Sequence, residues 1–561
     1  MIRIGIFFGG PSREREISFA GGKTAFEHLD KTLFQPVPIF IDGFGRFVLI
    51  EHKHMYAPDI RSFYTHPDRP NEHLYIESYP ELKFQEIPTS VGRLIDPSTL
   101  PHFIDFALLA MHGPDCEDGG IQGLLEWYRI PYSGPGLLGS SIGIDKILQN
   151  KLLKTVTGQQ KASVGVRYED WKNNPERVFS TVKQQIGLPI VLKAPHQGSS
   201  IGVAIVKQDD FEAFSKGINQ CFFTFSLSRE TWDKLDATEK KQWANAQTEL
   251  ESGIGYPLYV DDIAVYRPNE LLRVIERLFE IGNDSIELKS SDFEPIVLCE
   301  SFVEGQEFSC GCLQLENGTH VALPPTEVIK VDEVFDFNSK YRSGGTRKRI
   351  PVATTLDNNR KIQETIVHVA ESLGMSVCVR IDGFLTPAGK VVLHDPNTVP
   401  GMSPTSLIFK QMAEIGLNIT QSLTYLIRQS LIARIRSAKN TVQLIELLQQ
   451  LDQLKGEVDQ KQKPVQSVVI EPNDEVFAHT RKWYSRLCAE GVVKPEVWLR
   501  KDAKTTVKLP VQWLFKDTIN EVFNALETET DPLIIETRHQ CSEITRRYAG
   551  DATFEPEFRT V

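Results

Sequence analysis

Two short segments, Arg380-Ile381-Asp382 and Asp395-Pro396-Asn397, have the composition of a site for a hard cation. The polar residues of each segment are spaced i,i+2, so in a strand both side chains leave the same face. The intervening Gly383 to His394 reads as strand, turn (Thr386-Pro387-Ala388-Gly389), strand, which predicts a hairpin. Adjacent strands then present two carboxylates, an amide oxygen and a guanidinium on one surface. Mg²⁺ prefers carboxylate and amide oxygens and commonly shares its shell with substrate phosphates. A solvated hairpin face with an Arg–Asp pair has the same composition, so this segment is ambiguous alone.

Two more segments point the same way. In Lys193-Ala-Pro-His-Gln-Gly198-Ser199-Ser200-Ile-Gly202, a lysine ending an apolar strand leads into a Gly-Ser loop. Glycine lets backbone N–H groups approach an anion, and the hydroxyls can cradle phosphate oxygens. No Gly-Lys-Ser/Thr closes the loop, so it is not a P-loop. In Glu300-Ser-Phe-Val303-Glu-Gly-Gln-Glu307, an acid at a strand end, a turn and a second acid can hold an adenine and a ribose.

Positioning these groups requires strands that end at loops. Ile2 to Phe8 reads as a buried strand, followed by Gly9-Gly10 and a helix over Ile17 to His28. Phe106 to Met111 repeats the pattern before a helix from Gly120 to Tyr128, as in an open α/β sheet with ligands beyond the strand ends. Asp42 to Pro101 reads as an elaborated connection. A second unit has a helix over Ile144 to Thr155 and a strand over Ile190 to Lys193. About Gln220 to Glu294 reads as a polar, partly helical insertion without a catalytic signature. Strands return at Phe308 to Leu313, Ser376 to Phe384 and Lys390 to His394. The expected domains are therefore 1–132, 133–298 with the insertion, 299–432, and an additional α/β appendage at 433–561. In the appendage, Leu444, Leu448 and Leu451 form a helical stripe, Asp452 to Lys463 reads as a charged linker, and Val465 to Ile470 and Val511 to Phe515 are apolar runs.

With 41% hydrophobic and 24% charged residues over 561 positions, the chain has the balance of a multidomain globular protein. Its net charge of −12 argues against nucleic-acid or anionic-membrane partners. No apolar run approaches a bilayer span, Met1 to Phe8 lacks the features of a secretion signal, and the eight scattered cysteines suit reduced thiols. A cytoplasmic location is the expectation.

Further motifs occur in a fixed order: Gly9-Gly10-Pro-Ser-Arg-Glu14-Arg-Glu-Ile-Ser18, His112-Gly-Pro-Asp-Cys-Glu117-Asp118-Gly-Gly-Ile-Gln122-Gly123, and Gly139-Ser-Ser-Ile-Gly-Ile-Asp145-Lys146. The Gly-Ser loop, Glu300 to Glu307, Lys340-Tyr341, Arg380-Ile-Asp382 and Asn397-Thr-Val-Pro-Gly401-Met-Ser-Pro-Thr-Ser406 follow. The series resembles the D-alanine–D-alanine ligase family of ATP-grasp enzymes over residues 1 to about 430. The resemblance implies an N-terminal open α/β domain and central and C-terminal α+β domains clasping ATP. It implies that Lys146, Lys193, Ser200 and Lys340 hold the phosphates, Glu300 and the backbone at Val303 the adenine, and Glu307 the ribose. Asp382, Asp395 and Asn397 would hold two Mg²⁺ (or Mn²⁺). Glu14 would bind the ammonium of the first D-alanine, within a set completed by Ser199 and Tyr341 and with His112 alongside. Arg380 and the Gly401 N–H would face the oxyanion, and Ser406 the second carboxylate. A homodimer is also implied.

Three positions depart from the family pattern: Asp395 stands where glutamate is usual, Ala194 follows the central lysine where proline is usual, and Cys116 replaces a glycine. Two other readings share these motifs, a ligase with a different second substrate and a nucleotide-binding regulator without catalysis. Tyr341 favours an amine as the second nucleophile within the resemblance.

Overall fold

The structure, a computed structural model, describes residues 1–561 except 65, 67, 70, 84–90, 331–345, 416, 438–440, 462–499, 503–504 and 507–561. Lys340 and Tyr341 lie outside the described residues, as do 465–470 and 511–515.

The N-terminal unit is a five-stranded sheet of β1 (Ile2–Gly9), β2 (Phe34–Ile41), β3 (Phe47–Ile50), β4 (Gly92–Ile95) and β5 (Phe106–Leu109), in the order β4-β3-β2-β1-β5. β1 runs parallel to both β2 and β5, so the β1 and β5 loops leave from the same edge. Helices α1 (Arg15–His28) and α2 (Gly120–Trp127) follow those loops. The apolar β1 side chains are buried because helices and the long connection cover both faces.

In the central unit, α3 (Lys146–Thr157) precedes β6 (Ser163–Arg167), β7 (Ile190–Lys193) and β8 (Val203–Val206). The chain then makes the insertion: β9 (Thr224–Ser228), α4 (Ala237–Ala246), β10 (Leu258–Val260), β11 (Ile263–Val265), α5 (Pro268–Glu280) and β12 (Ser285–Ser290). Its strands form a separate sheet ordered β11-β10-β12-β9, over a core that includes Trp232, Leu258, Leu271, Ile275 and Leu288. Helical character expected over Glu230 to Leu250 is met by α4, and α5 is a further helix. The sheet escaped sequence reading because β10 and β11 are three residues each, too short to show a period. β13 (Ile296–Ser301) returns to the centre of the antiparallel sheet β6-β13-β7-β8.

The third sheet holds β14 (Gln306–Gln314), β15 (His320–Ala322), β16 (Thr326–Lys330), β17 (Thr346–Arg349), β18 (Cys378–Leu385) and β19 (Val391–Asn397), ordered β17-β16-β14-β18-β19 with β15 on β14. Helix α6 (Leu356–Ser372) packs on it through Ile362, Ile366 and Val369, joined by Leu153 of α3. Helices α7 (Leu407–Glu414), α8 (Ile419–Arg436) and α9 (Thr441–Lys461) follow, and beyond them the described residues hold a short antiparallel pair, Arg500–Asp502 with Thr505–Thr506. Leu444 and Leu451 of α9 are buried in the same core as Leu423 and Leu431 of α8. The stretch from Asp452, read as a linker, continues this helix to Lys461. Among the described residues no helix is long and apolar enough to cross a membrane.

Candidate active site

The predicted hairpin is β18–β19, and its register carries a detail that i,i+2 spacing does not contain. Arg380 pairs with Asn397 and Ile381 with Pro396, but Asp382 pairs with His394, leaving Asp395 as the extra residue of a bulge. Asp395 has φ of +54°, and bulges re-aim the side chain they carry. Its carboxylate lies 3.2 Å from the Lys146 ammonium. The bulge thus brings the shorter acid to the central unit's lysine.

Asp382 accepts from Ser309 Oγ at 2.6 Å, its cross-strand neighbour on β14, and from Arg380 Nε at 3.2 Å. Asn397 donates its Nδ2 hydrogens to the carbonyls of Asp395 (2.8 Å) and Arg380 (3.4 Å), which orients the amide group. Among the described residues no three His, Cys, Asp or Glu side chains converge as a metal cage. Two carboxylates and an amide oxygen still suit Mg²⁺, whose shell is commonly completed by phosphate oxygens and water.

Between the central sheet and the third sheet lies a cleft of about 710 Å³. Lys146, Lys193, Ser200, Glu300, Val303, Glu307, Asp382 and Asp395 all line it. Lys146 opens α3, and Asp145 caps that helix by accepting from the N–H of Ile147 and Leu148. The Lys146 ammonium also donates to the Gln197 carbonyl at 2.6 Å, so one lysine ties the Gly-Ser loop to the hairpin.

At the other end Glu300 is buried and triply engaged. Its Oε1 meets Lys193 at 2.5 Å, and its Oε2 meets Lys161 at 2.7 Å and the Asn150 amide at 3.0 Å. Burial would raise the Glu300 pKa, but the two ammonium groups hold it far below the usual carboxylate range. Burial would likewise lower Lys193, yet Glu300 raises it; Lys161, for which burial prevails, is lowered. His394, stacked on Phe384, is kept neutral by burial and by Lys193 and Lys161.

A second, smaller site adjoins the Gly-Ser loop. Glu14 accepts from Ser199 Oγ at 2.5 Å and from the Gly198 N–H at 3.1 Å. A Cβ at Gly198 would stand 2.6 Å from Glu14 Oε2, so the close approach requires glycine. Ser199 and Ser200 have φ of +51° and +66°, a strained turn of the kind found at ligand clamps. Burial, then the nearby Glu117, raises the Glu14 pKa. His112 joins this site. Its backbone accepts from Ser12 Oγ and donates to Ser18 Oγ, tying the β5 loop to the β1 loop and to α1. Burial would lower its pKa, but Glu117, with Oε2 3.8 Å from Nδ1, and Glu14 raise it, while Arg380 opposes them. Gly401 and Ser406 sit together before α7, with Ser406 Oγ 2.9 Å from Ser403 Oγ.

A protein-family model described as the D-ala D-ala ligase N-terminus matches residues 3–135, and one described as the D-ala D-ala ligase C-terminus matches 152–224 and 275–428. The chain belongs to the D-alanine–D-alanine ligase family. The D-alanine–D-alanine ligase of Natranaerobius thermophilus is 26% identical over 446 residues, covering 79% of this chain and 99% of the relative. That of Geobacillus thermodenitrificans is 25% identical over 416 residues, covering 72% and 88%. The fold matches the solved D-alanine–D-alanine ligase from Coxiella burnetii (TM-score 0.50, 20% identity, 80% of this chain and 100% of that one). It also matches the VanG D-Ala:D-Ser ligase from Enterococcus faecalis (TM-score 0.50, 21% identity, 76% and 99%). The ATP-grasp architecture expected from the sequence is therefore the fold.

Within this family member, several site neighbours escaped sequence reading. Lys161 and Asn150 reach Glu300 from positions 139 and 150 residues away in the chain, and Ser309 meets Asp382 only through the β14–β18 register. Glu117 is visible in the acidic loop motif, but its partner His112 is found only when the loop is folded back. The family matches skip 225–274 and end at 428, so most of the insertion, together with α9, lies outside them.

Proposed function

We propose that this family member is a cytoplasmic ATP-dependent ligase that joins two D-alanines into D-alanyl-D-alanine for the peptidoglycan precursor. The reading is carried by the junction of two dissimilar sites. The buried Glu14 carboxylate, suited to an ammonium group, adjoins through the Gly-Ser loop a cleft furnished with lysines and two carboxylates, suited to a metal–triphosphate.

The first D-alanine lies with its ammonium on Glu14, held by the Ser199–Glu14 hydrogen bond, and its carboxylate toward the γ-phosphate. Lys146 and Lys193, with Lys340, neutralise phosphate charge, and this electrostatic positioning dominates phosphoryl transfer. Glu300 and the Val303 backbone face the adenine and Glu307 the ribose. Asp382, Asp395 and the Asn397 amide oxygen would hold two Mg²⁺ (or Mn²⁺), which would supply charge neutralisation to the phosphates. The carboxylate attacks the γ-phosphorus, ADP leaves, and an acyl phosphate forms. The amine of the second D-alanine, its carboxylate on Ser406, then attacks the acyl carbon. Arg380 and the Gly401 N–H receive the tetrahedral oxyanion, and phosphate departs as the amide forms. Tyr341 in the sequence supports an amine as the second nucleophile.

The test is phosphate release from ATP and Mg²⁺ with D-alanine alone, then with D-alanine plus D-serine or D-lactate. D-alanine alone suffices if the reading holds; a requirement for the second compound moves the chain to a D-alanine–D-X ligase, and silence in every arm refutes ligase activity. A homodimer belongs to the same reading and is checked by sedimentation.

A further inference from the structure

The loop that carries Glu14 is bonded at several points: Ser12 Oγ donates to the His112 carbonyl and accepts from the Glu14 N–H, and Arg15 donates to the carbonyls of Ser12 and Pro11. The loop leaves β1 through Gly9 and Gly10 at φ of +87° and +100°, and Glu14, at the N-cap of α1, makes no side-chain cap. Beyond its own bonds to Ser199 and Gly198, the Glu14 carboxylate depends on where this loop sits, and the side chains on either side of it tie the loop down.

Arg13 turns away from Glu14 into the insertion, where its side chain is 1% exposed. Its guanidinium donates to the carbonyls of Leu250 (2.6 Å), Gly253 (3.1 Å) and Ile254, and to Ser290 Oγ at 3.1 Å. It also pairs with Asp292 at 3.1 Å and lies 4.3 Å from the Phe223 ring centre. Ser290 is itself fixed, donating to the Ile254 carbonyl and accepting from the Asp292 N–H. On the opposite side, Arg15 pairs with Glu77, while Glu16 accepts from Tyr75 OH at 3.1 Å and from the Ile60 N–H. The two elaborations also hold each other, through Arg61–Glu249 at 2.9 Å and Arg267–Glu81 at 3.5 Å.

We infer that the insertion is a clasp for the first amino-acid subsite, with Arg13 as the positioning residue that fixes Glu14 by seating the residue before it in a socket built from 250–254 and 290–292. The inference rests on the assignment of Glu14 to the substrate ammonium. The 250–254 carbonyls fall in the segment the family matches skip, whereas 290–292 fall within the matched residues. A planar fork reaching several carbonyls and a carboxylate at once orients a loop in a way that a point charge cannot.

The test uses the full-length protein with Asp292→Asn and Arg13→Lys. Asp292→Asn keeps the volume of a side chain that is a third exposed and removes its charge; Arg13→Lys keeps the charge and loses the fork. Two readouts are needed: the Michaelis constants for D-alanine and ATP, and amide hydrogen exchange of residues 10–18 against β7 and β13. The clasp predicts that the D-alanine constant rises about tenfold or more, as expected for a displaced positioning group, while the ATP constant stays within twofold. Exchange should accelerate in 10–18 and hold in β7 and β13, with Arg13→Lys more affected than Asp292→Asn. Unchanged exchange in 10–18, or equal increases in both Michaelis constants, overturns the clasp. Accelerated exchange in a protein whose wild type shows no D-alanine-dependent turnover sinks the proposed substrate and leaves the clasp standing.

Discussion

Glu300→Gln removes one negative charge and almost no volume from a place where two buried ammonium groups depend on it. The Glu300 and Lys161 side chains are each 5% exposed and Lys193 is 14% exposed, so solvent screens the cluster poorly. Removing one partner of a buried ion pair typically costs ~3–5 kcal/mol. A single carboxylate can span ammonium groups no more than about 7 Å apart, and at an effective dielectric near 20 their bare repulsion is ~2 kcal/mol. The Lys161 pKa is already lowered by burial, so the variant can relieve part of the cost by releasing that proton. A net loss of about 3 kcal/mol is expected at neutral pH, equivalent to roughly 10²-fold faster opening of the central sheet. The sign of the pH dependence follows from linkage. In the wild type the depressed Glu300 pKa contributes stability that is present above the unfolded value of ~4.3 and is lost only as pH falls through the folded one. In the variant the unfolded chain binds a proton at Lys161 that the folded chain resists, so stability recovers as pH rises toward ~10. Amide exchange of Ile190–Lys193 and Ile296–Ser301 at pH 7 and pH 9, corrected for intrinsic rates, reads this local opening. Adding Lys161→Met to the variant should restore much of the loss. Exchange within threefold of wild type at both pH values, with no effect of the second substitution, would refute the argument that the cluster is held by charge.

Arg380→Ala should lower turnover ~10²–10³-fold with little change in the Michaelis constant for ATP, since its partner is an oxyanion formed during the reaction. A rise in the ATP constant alone would make Arg380 a nucleotide-binding group. The raised Glu14 pKa puts the acid limb of kcat/KM for D-alanine above the ordinary glutamate value of ~4.3, because the substrate ammonium needs the carboxylate form. Ser199→Ala, which removes a hydrogen bond that lowers that pKa, should move the limb further up; a downward shift contradicts the assignment. Truncation after Lys461 should keep D-alanine-dependent ATP hydrolysis. Truncation after Ser437 also discards Leu444 and Leu451, each worth ~1.5–3 kcal/mol of burial, and should lower the thermal midpoint while leaving measurable turnover. Loss of dipeptide synthesis in a folded Lys461 truncation would place a needed group in the tail.

The predicted site residues that line the cleft were legible in the sequence because their signals are local. A strand with i,i+2 polar residues, a lysine running into a Gly-Ser loop, and an acid at a strand end each specify a face or a turn through backbone geometry alone. Their order along the chain identified the family, and about Gln220 to Glu294 read as an insertion from its polar composition. The tertiary structure decided what depends on register and long-range contact. The bulge at Asp395 appears only when β19 is aligned on β18, where one unpaired residue turns that carboxylate toward Lys146. Lys161 and Lys193 share Glu300 only because β13 returns between β6 and β7 after the insertion. Arg13 is one of several charged residues in the first loop motif, and its socket is assembled from backbone carbonyls about 240 residues later, which a sequence does not display. Side-chain types and their spacing fix local direction, whereas the partner of a buried charge is set by which distant segments the packed core brings within hydrogen-bond reach.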